Sequence, residues 1–265
     1  MVKIIMSGCN GYMGRVVTEI VAAEEEAQIV AGFDLEDKGD KTYPVFTSPE
    51  DCDVEADVVI DFSSPKALNG LLKFCKTKKV AAIFCTTGYD EAQIAQIREA
   101  ASEVAVMKSA NMSLGINMLL KLIQDAAKLL APAGFDMEIV EKHHKLKIDA
   151  PSGTALALAD SLNEALGQKY EYKYDRSQER RRRDQYEIGI SAVRGGNIVG
   201  EHEVIFAGLD EVIEFKHTAY SKSVFAKGAV QAAKFMWWKF IANIWIIIKS
   251  MEKQDTGWIL WMRRS

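Results

Sequence analysis

The chain has 265 residues, 48% hydrophobic and 26% charged, a composition ordinary for a soluble globular protein with a large core and one or two domains. A net charge of −4 argues against nucleic acid as the main partner. Cys9, Cys52, Cys75 and Cys85 are scattered without CxxC spacing, so reduced, mostly buried thiols, no metal site and a cytoplasmic location are expected. No leader segment is apparent, and the apolar run from Phe240 to Ile248 is well short of the roughly 20 residues that span a bilayer. No membrane partner is expected.

Val2 to Ser7 is short and apolar, as a buried parallel strand is. Gly8-Cys-Asn-Gly11-Tyr-Met-Gly14 follows, and a helix is predicted from Tyr12 to Ala23 with Val16, Val17, Ile20 and Val21 on one face. Strand, glycine turn and helix in that order are the context of a dinucleotide fingerprint. Gly8, Asn10, Gly11, Tyr12, Met13 and Gly14 are therefore expected around a pyrophosphate at the helix N-terminus. The next strand, Ile29 to Phe33, ends at Asp34, 20 residues beyond Gly14, where a ribose-binding carboxylate belongs. Leu35 rather than an arginine follows, which favours NADH. Lys38 and Lys41 are near enough to serve a 2′-phosphate, so NADPH stays open.

Strands at Ala56 to Asp61, Val80 to Cys85 and Val104 to Met107 then alternate with helices at Lys66 to Thr77 and Asp90 to Ala101. Ligands of parallel sheets bind at the carboxyl ends of the strands. The tips Phe62-Ser63, Thr86-Thr87-Gly88 and Ala110-Asn111-Met112 complete the expected cofactor set. Beyond them come an amphipathic helix, Gly115 to Leu130, and an alternating strand, Phe135 to Glu141.

The densest chemistry is Glu141-Lys-His-His-Lys-Leu-Lys-Ile-Asp-Ala-Pro-Ser-Gly-Thr-Ala-Leu156. A helix opening at Ser152-Gly153-Thr154 would point backbone N–H groups and the positive end of its dipole at an anion. Two histidines and three lysines lie just upstream, a poor core environment and a fitting one for a carboxylate with proton donors beside it. In a continuous strand His143, Lys145 and Lys147 would share one face and His144 would point away. Strands follow at Tyr170 to Tyr174, Tyr186 to Val193, Ile198 to Ala207 and Glu211 to Tyr220, an open mixed or antiparallel sheet with a helix or two against it. Its uncovered face calls for a second copy of the chain. Arg180-Arg181-Arg182-Arg183 reads as a solvated loop or as an attractor of anionic substrate.

The run from Glu141 to Leu156 resembles the signature of the dihydrodipicolinate reductase family. So do Gly8 to Gly14, Asp61-Phe62-Ser63, Thr86-Thr87-Gly88, Ala110 to Ser113 with Gly115-Ile116-Asn117, and Arg194-Gly-Gly-Asn-Ile-Val-Gly-Glu-His202, in the family's order. The resemblance covers residues 1 to about 236. It implies an α/β fold, with a Rossmann-type parallel-sheet domain over 1–112 and 223–265 and an inserted α+β substrate and oligomerisation domain with an open mixed sheet over 113–222. It also implies a homotetramer, NADH or NADPH as hydride source, and a small dicarboxylate substrate in lysine and diaminopimelate synthesis. The family's proton-donating histidine falls on His143 and its catalytic lysine on Lys147. His144, Ser152, Gly153 and Thr154 match its carboxylate-holding positions. For both His144 and Lys147 to reach substrate the segment has to leave regular strand geometry, so a loop is expected near the histidines.

The end of the chain departs from this pattern. All five tryptophans, Trp237, Trp238, Trp245, Trp258 and Trp261, stand in the last 29 residues. The break in composition points to a shifted reading frame or foreign extension, or else to an amphipathic helix.

Overall fold

The protein is described by a computed structural model over residues 1–177, 179–241 and 259–261. The described residues form two compact units, one of Met1–Ser113 with the described residues from Ser223 on, the other of Leu114–Lys222. Their helices are α1 (Tyr12–Ala22), α2 (Leu68–Lys78), α3 (Glu91–Ala100), α4 (Leu114–Leu130), α5 (Gly153–Ala165) and α6 (Ser223–Ile241).

In the first unit β1 (Val2–Ser7), β2 (Ala27–Phe33), β3 (Val45–Phe46), β4 (Val58–Asp61), β5 (Ala81–Phe84) and β6 (Val106–Lys108) run parallel, in the order β6-β5-β4-β1-β2-β3. Alternation along β1 sends Ile4 and Met6 to one face, where α1 and α6 bury them with Val17, Val21, Ala229 and Ala233. Ile5 faces the other way, under Leu71 and Phe74 of α2 and Ile97 of α3. The sheet is thus wound on both faces, the Rossmann plan. Strand order reverses between β1 and β4, so the glycine turn leaving β1 and the tips of β4 and β5 lie at the switch point where such sheets bind ligands.

Small differences from the sequence reading have local causes. Pro65–Ala67 forms a 3-10 turn, and α2 begins only at Leu68. β3 and a 3-10 turn at Pro49–Asp51 were not expected, since two or three residues carry no readable period. Asp90 is not the first helical residue but the N-cap of α3, in a capping box with Gln93. All four cysteines are buried and unbridged, as their scatter suggested.

In the second unit β7 (Asp136–His143), β8 (Glu171–Lys173), β9 (Glu187–Arg194), β10 (Gly200–Ala207) and β11 (Val212–Ala219) form a mixed sheet, β11-β10-β7-β9-β8. β7 pairs antiparallel with β10 and parallel with β9. α4 and α5 cover one face, where Leu119, Ile123, Leu158 and Leu162 meet Ile139, Ile190, Val204 and Phe206. On β7 the covered face reads Met137, Ile139, Glu141, His143, so its apolar core turns polar at the strand's end.

The arginine run divides, with Arg181 and Arg183 paired to carboxylates of the chain and Arg180 and Arg182 exposed. Arg183 crosses to β7, donating to Asp136 (2.7 Å) and Glu138 (3.1 Å) and to the carbonyls of Met137 and Glu187. Arg181 and Arg176 both pair with the buried Glu187. With the Asp184 carbonyl (2.9 Å), five convergent acceptors explain why Arg183 is drawn in while Arg180 and Arg182 stay exposed. Arg183→Ala is expected to lower stability by about 1.5–3 kcal/mol, and Arg180→Ala by less than about 0.5 kcal/mol. Urea unfolding of both variants measures the difference.

A last strand, β12 (Ile259–Trp261), pairs antiparallel with β6. Trp237 packs against the core under α1 and α6. The readings made for the rest of the tryptophan-rich tail lie outside the described residues. Among the described residues no helix is long and apolar enough to cross a membrane.

Candidate active site

Two groups of predicted residues gather, one in each unit. In the first, Gly8 has φ +79°. A Cβ there would lie 2.6 Å from the Phe62 carbonyl oxygen, and one on Gly14 would lie 2.2 Å from that of Gly8. The turn therefore closes against β4 and lets α1 start tightly upon it. Gly11 is the exposed N-cap of α1 and brings no capping side chain. No acidic residue stands in the first turn of α1. This is the arrangement a pyrophosphate requires, so the residues present fit a dinucleotide.

Around it, Asp34 follows β2 and accepts from the backbone N–H of Asn10 (2.7 Å) and of Leu35 (2.8 Å), tying the acid to the glycine turn. The Asn10 amide donates to the Glu36 carbonyl (2.7 Å). Tyr12 is exposed and Met13 half-buried at the start of α1. Lys41 pairs with Asp40 at 2.7 Å.

Phe62 and Ser63 follow β4. Thr86, Thr87 and Gly88 follow β5, with Thr86 buried and the other two exposed. Ala110, Asn111 and Met112 follow β6, where the Asn111 side chain accepts from Ser113 N–H (2.9 Å). Sequence reasoning missed what holds the β4 tip. Asp61, fully buried, accepts from Ser7 Oγ (2.9 Å), from Ser63 N–H (3.1 Å) and Oγ (2.5 Å), and from Tyr89 Oη (3.1 Å). Burial and the Asp61 charge push the Tyr89 phenol up.

In the second unit β7 ends at His143, and His144 begins a loop with Lys147 N–H bonded to the His144 carbonyl (3.1 Å). The expected break in the strand is present. His143 Nδ1 lies 2.5 Å from Glu141 Oε2. Arg194, at the end of β9, grips the same carboxylate with two bonds of 2.8 and 2.7 Å. Burial pushes the Glu141 carboxyl up, but bonds from Arg194, His143 and Ser152 outweigh it and leave it below the usual carboxylate range. Burial also pushes the His143 imidazole below its ordinary value, against the pull of Glu141. The His202 ring sits 5.1 Å from that of His143, and burial lowers His202 to about 3, so it is neutral near pH 7.

Ser152 caps α5. Its Oγ accepts from Ala155 N–H (3.2 Å) and bonds His202 Nε2 (3.0 Å), and its N–H donates to Glu141 (2.9 Å). The Ser152 side chain is therefore committed inside the protein rather than offered to a ligand. Gly153, exposed, and Thr154, half-buried, occupy the first turn. Lys147 Nζ lies 2.8 Å from Asp149 Oδ1. Burial acts to raise Asp149, and the Lys147 and backbone bonds more than offset it, so its carboxyl sits below the usual range. The lysine thus holds a carboxylate that the chain itself supplies just ahead of α5. Glu141, Arg194 and His202 were not picked out as site residues, although the Arg194-to-His202 segment carried a signal. Among the described residues no group of three or more His, Cys, Asp or Glu could hold a metal ion.

Comparison with known proteins accounts for both units. Residues 2–112 match the family model described as dihydrodipicolinate reductase, N-terminus, and residues 115–246 match the model for its C-terminus. The 4-hydroxy-tetrahydrodipicolinate reductase of Clostridium tetani is 48% identical over 236 residues, 89% of this chain and 92% of that protein. The enzyme of the same name from Caldanaerobacter subterraneus is also 48% identical, over 89% of this chain and 93% of its own. A dipicolinate-bound dihydrodipicolinate reductase from Paenisporosarcina sp. TG-14 shares the fold, with a TM-score of 0.75 at 24% identity, covering 90% of this chain and 95% of that one. With both family models matched in sequence order and close relatives aligned over most of their length, the chain belongs to the dihydrodipicolinate reductase family.

Proposed function

We propose that the protein reduces 4-hydroxy-tetrahydrodipicolinate to tetrahydrodipicolinate with NADH or NADPH, a step of lysine and diaminopimelate synthesis. The nicotinamide nucleotide supplies the hydride when bound. Gly8, Asn10, Gly11, Tyr12, Met13 and Gly14 hold its pyrophosphate and Asp34 its ribose. Phe62, Ser63, Thr86 to Gly88 and Ala110 to Met112 hold its nicotinamide end.

The observation that carries the reading is a carboxylate held by Lys147 at 2.8 Å just ahead of the start of α5. A dicarboxylate substrate takes that position by displacing Asp149, with His144 and Thr154 on the other carboxylate oxygens. Loss of the substrate's 4-hydroxyl as water leaves a conjugated imine, and hydride addition to it leaves electron density that a proton quenches. His143 delivers it, and Lys147 neutralises charge beside it. Ser152 serves the site by fixing the start of α5.

Dipicolinate, present in the Paenisporosarcina structure, is a stable probe of this site. Calorimetry is expected to show that it binds, and no binding to folded protein contradicts the reading. Asp149→Asn is expected to bind it about threefold to tenfold more tightly. The gain persists in 1 M salt, where the Debye length of about 3 Å removes general charge effects. Weaker binding by the variant would mean that Asp149 orients Lys147 instead of competing with substrate.

We further infer a homotetramer built on the second unit's sheet, acting in the cytoplasm. The support is the sheet face that carries Val140, Ile205 and Val212, opposite the α4 and α5 side. Sedimentation should give four times the 29.5 kDa chain mass.

A further inference from the structure

Glu141 is 0% exposed, and both its oxygens are in use. Oε1 accepts from Ser152 N–H (2.9 Å) and Arg194 Nη2 (2.7 Å), and Oε2 accepts from Arg194 Nη1 (2.8 Å). A two-pronged guanidinium keeps a buried carboxylate ionised. An ionised carboxylate only accepts hydrogen bonds, so the 2.5 Å contact between Oε2 and His143 Nδ1 places a proton on Nδ1. That leaves Nε2 as the only nitrogen of His143 at which a proton is gained or lost. The order is a buried acid and an imidazole whose Nε2 lies on the side of Gly200, with a cation behind the acid.

We propose that Glu141 is the positioning residue of His143: it fixes the Nδ1–H tautomer so that proton delivery occurs at Nε2, and with Arg194 it sets how tightly that proton is held. The catalytic meaning rests on the reductase reading, in which His143 is the donor. The geometry does not.

The groups around His143 are few. Glu141 on the same strand stabilises its charged form. Arg194 on β9 and Lys147 on the loop oppose it. His202 on β10 is neutral and stacks edge-on, with His217 opposite it on β11 and Ser152 at the head of α5 between ring and helix. Removing Glu141's charge therefore leaves only opposing cations, and removing Arg194's charge leaves Glu141 unopposed on its near side. The two changes pull in opposite directions, whereas a role limited to holding β7 and β9 together would move His143 alike in both.

The test is a pH titration by nitrogen-15 NMR of the imidazoles, with Glu141→Gln and Arg194→Gln beside the unmodified chain. The protein has four histidines, and His143→Gln identifies the resonance. The unmodified protein is expected to show the Nδ1–H tautomer at His143. Its proton affinity should fall about tenfold in Glu141→Gln and rise by a similar factor in Arg194→Gln. Turnover that needs protonated His143 falls as pH rises through its midpoint, so the falling limb of kcat moves to lower pH in the first variant and higher pH in the second. An Nε2–H tautomer, an unmoved midpoint, or shifts of the same sign in both variants would overturn the proposal. If Glu141→Gln does not fold, Arg194→Gln alone decides, since a midpoint that stays or falls contradicts the assignment. Shifts as expected in a protein that fails to reduce the dicarboxylate would leave Glu141's role standing and remove the reductase reading. Turnover with an unmoved midpoint would do the reverse.

Discussion

His143→Ala is expected to lower kcat by about a hundredfold or more with little change in dipicolinate affinity. The reason is the separation of tasks around the β7 end. His143 is buried between Glu141 and His202, while the cation that holds a carboxylate is Lys147. Its loss removes a proton donor and leaves the anion contacts in place. Lys147→Ala is the complementary case. It takes away the cation at 2.8 Å from the carboxylate position, so KM rises along with any fall in kcat. Steady-state kinetics on the two variants separates the roles. An unchanged kcat in His143→Ala would remove it as proton donor.

Gly14→Ala is the second large effect. The added Cβ would stand 2.2 Å from the Gly8 carbonyl oxygen and 2.7 Å from the Cys9 Cα, both backbone atoms that no rotamer can move aside. The clash is relieved only by lifting α1 from the glycine turn, which opens the helix N-terminus that receives the pyrophosphate. Stability is expected to fall by about 1–3 kcal/mol, and NADH binding to fall below detection in a fluorescence titration. Gly153→Ala, where the Cβ meets nothing within 4 Å, is the control and should fold normally. Native affinity in Gly14→Ala would show that the turn is looser than its packing implies.

Much of this was legible because local pattern carries it. Strand, glycine turn and amphipathic helix are contiguous over Val2 to Ala22, so their order could be read directly. A break near the histidines, found where β7 ends at His143, followed from the roles the family resemblance gives His144 and Lys147, because a regular strand cannot turn both to one ligand. What stayed hidden depends on register between distant segments. The pairing of His143 with Arg194 across β7 and β9 brings Arg194 onto Glu141, and no local feature of either strand encodes that alignment. Arg183 misled for the same reason: its neighbours in sequence are charged, but its partners Asp136 and Glu138 lie on β7. Asp149 was seen only as part of a motif, and its pairing with Lys147 emerged from the fold of the loop.

Turnover tests the central claim most directly. The purified chain, mixed with freshly made 4-hydroxy-tetrahydrodipicolinate and either NADH or NADPH, is predicted to oxidise the reduced nucleotide only when the dicarboxylate is present. Dipicolinate should inhibit, and His143→Ala should abolish most of the rate. A cooperatively folding protein that binds dipicolinate yet oxidises neither nucleotide would contradict the account.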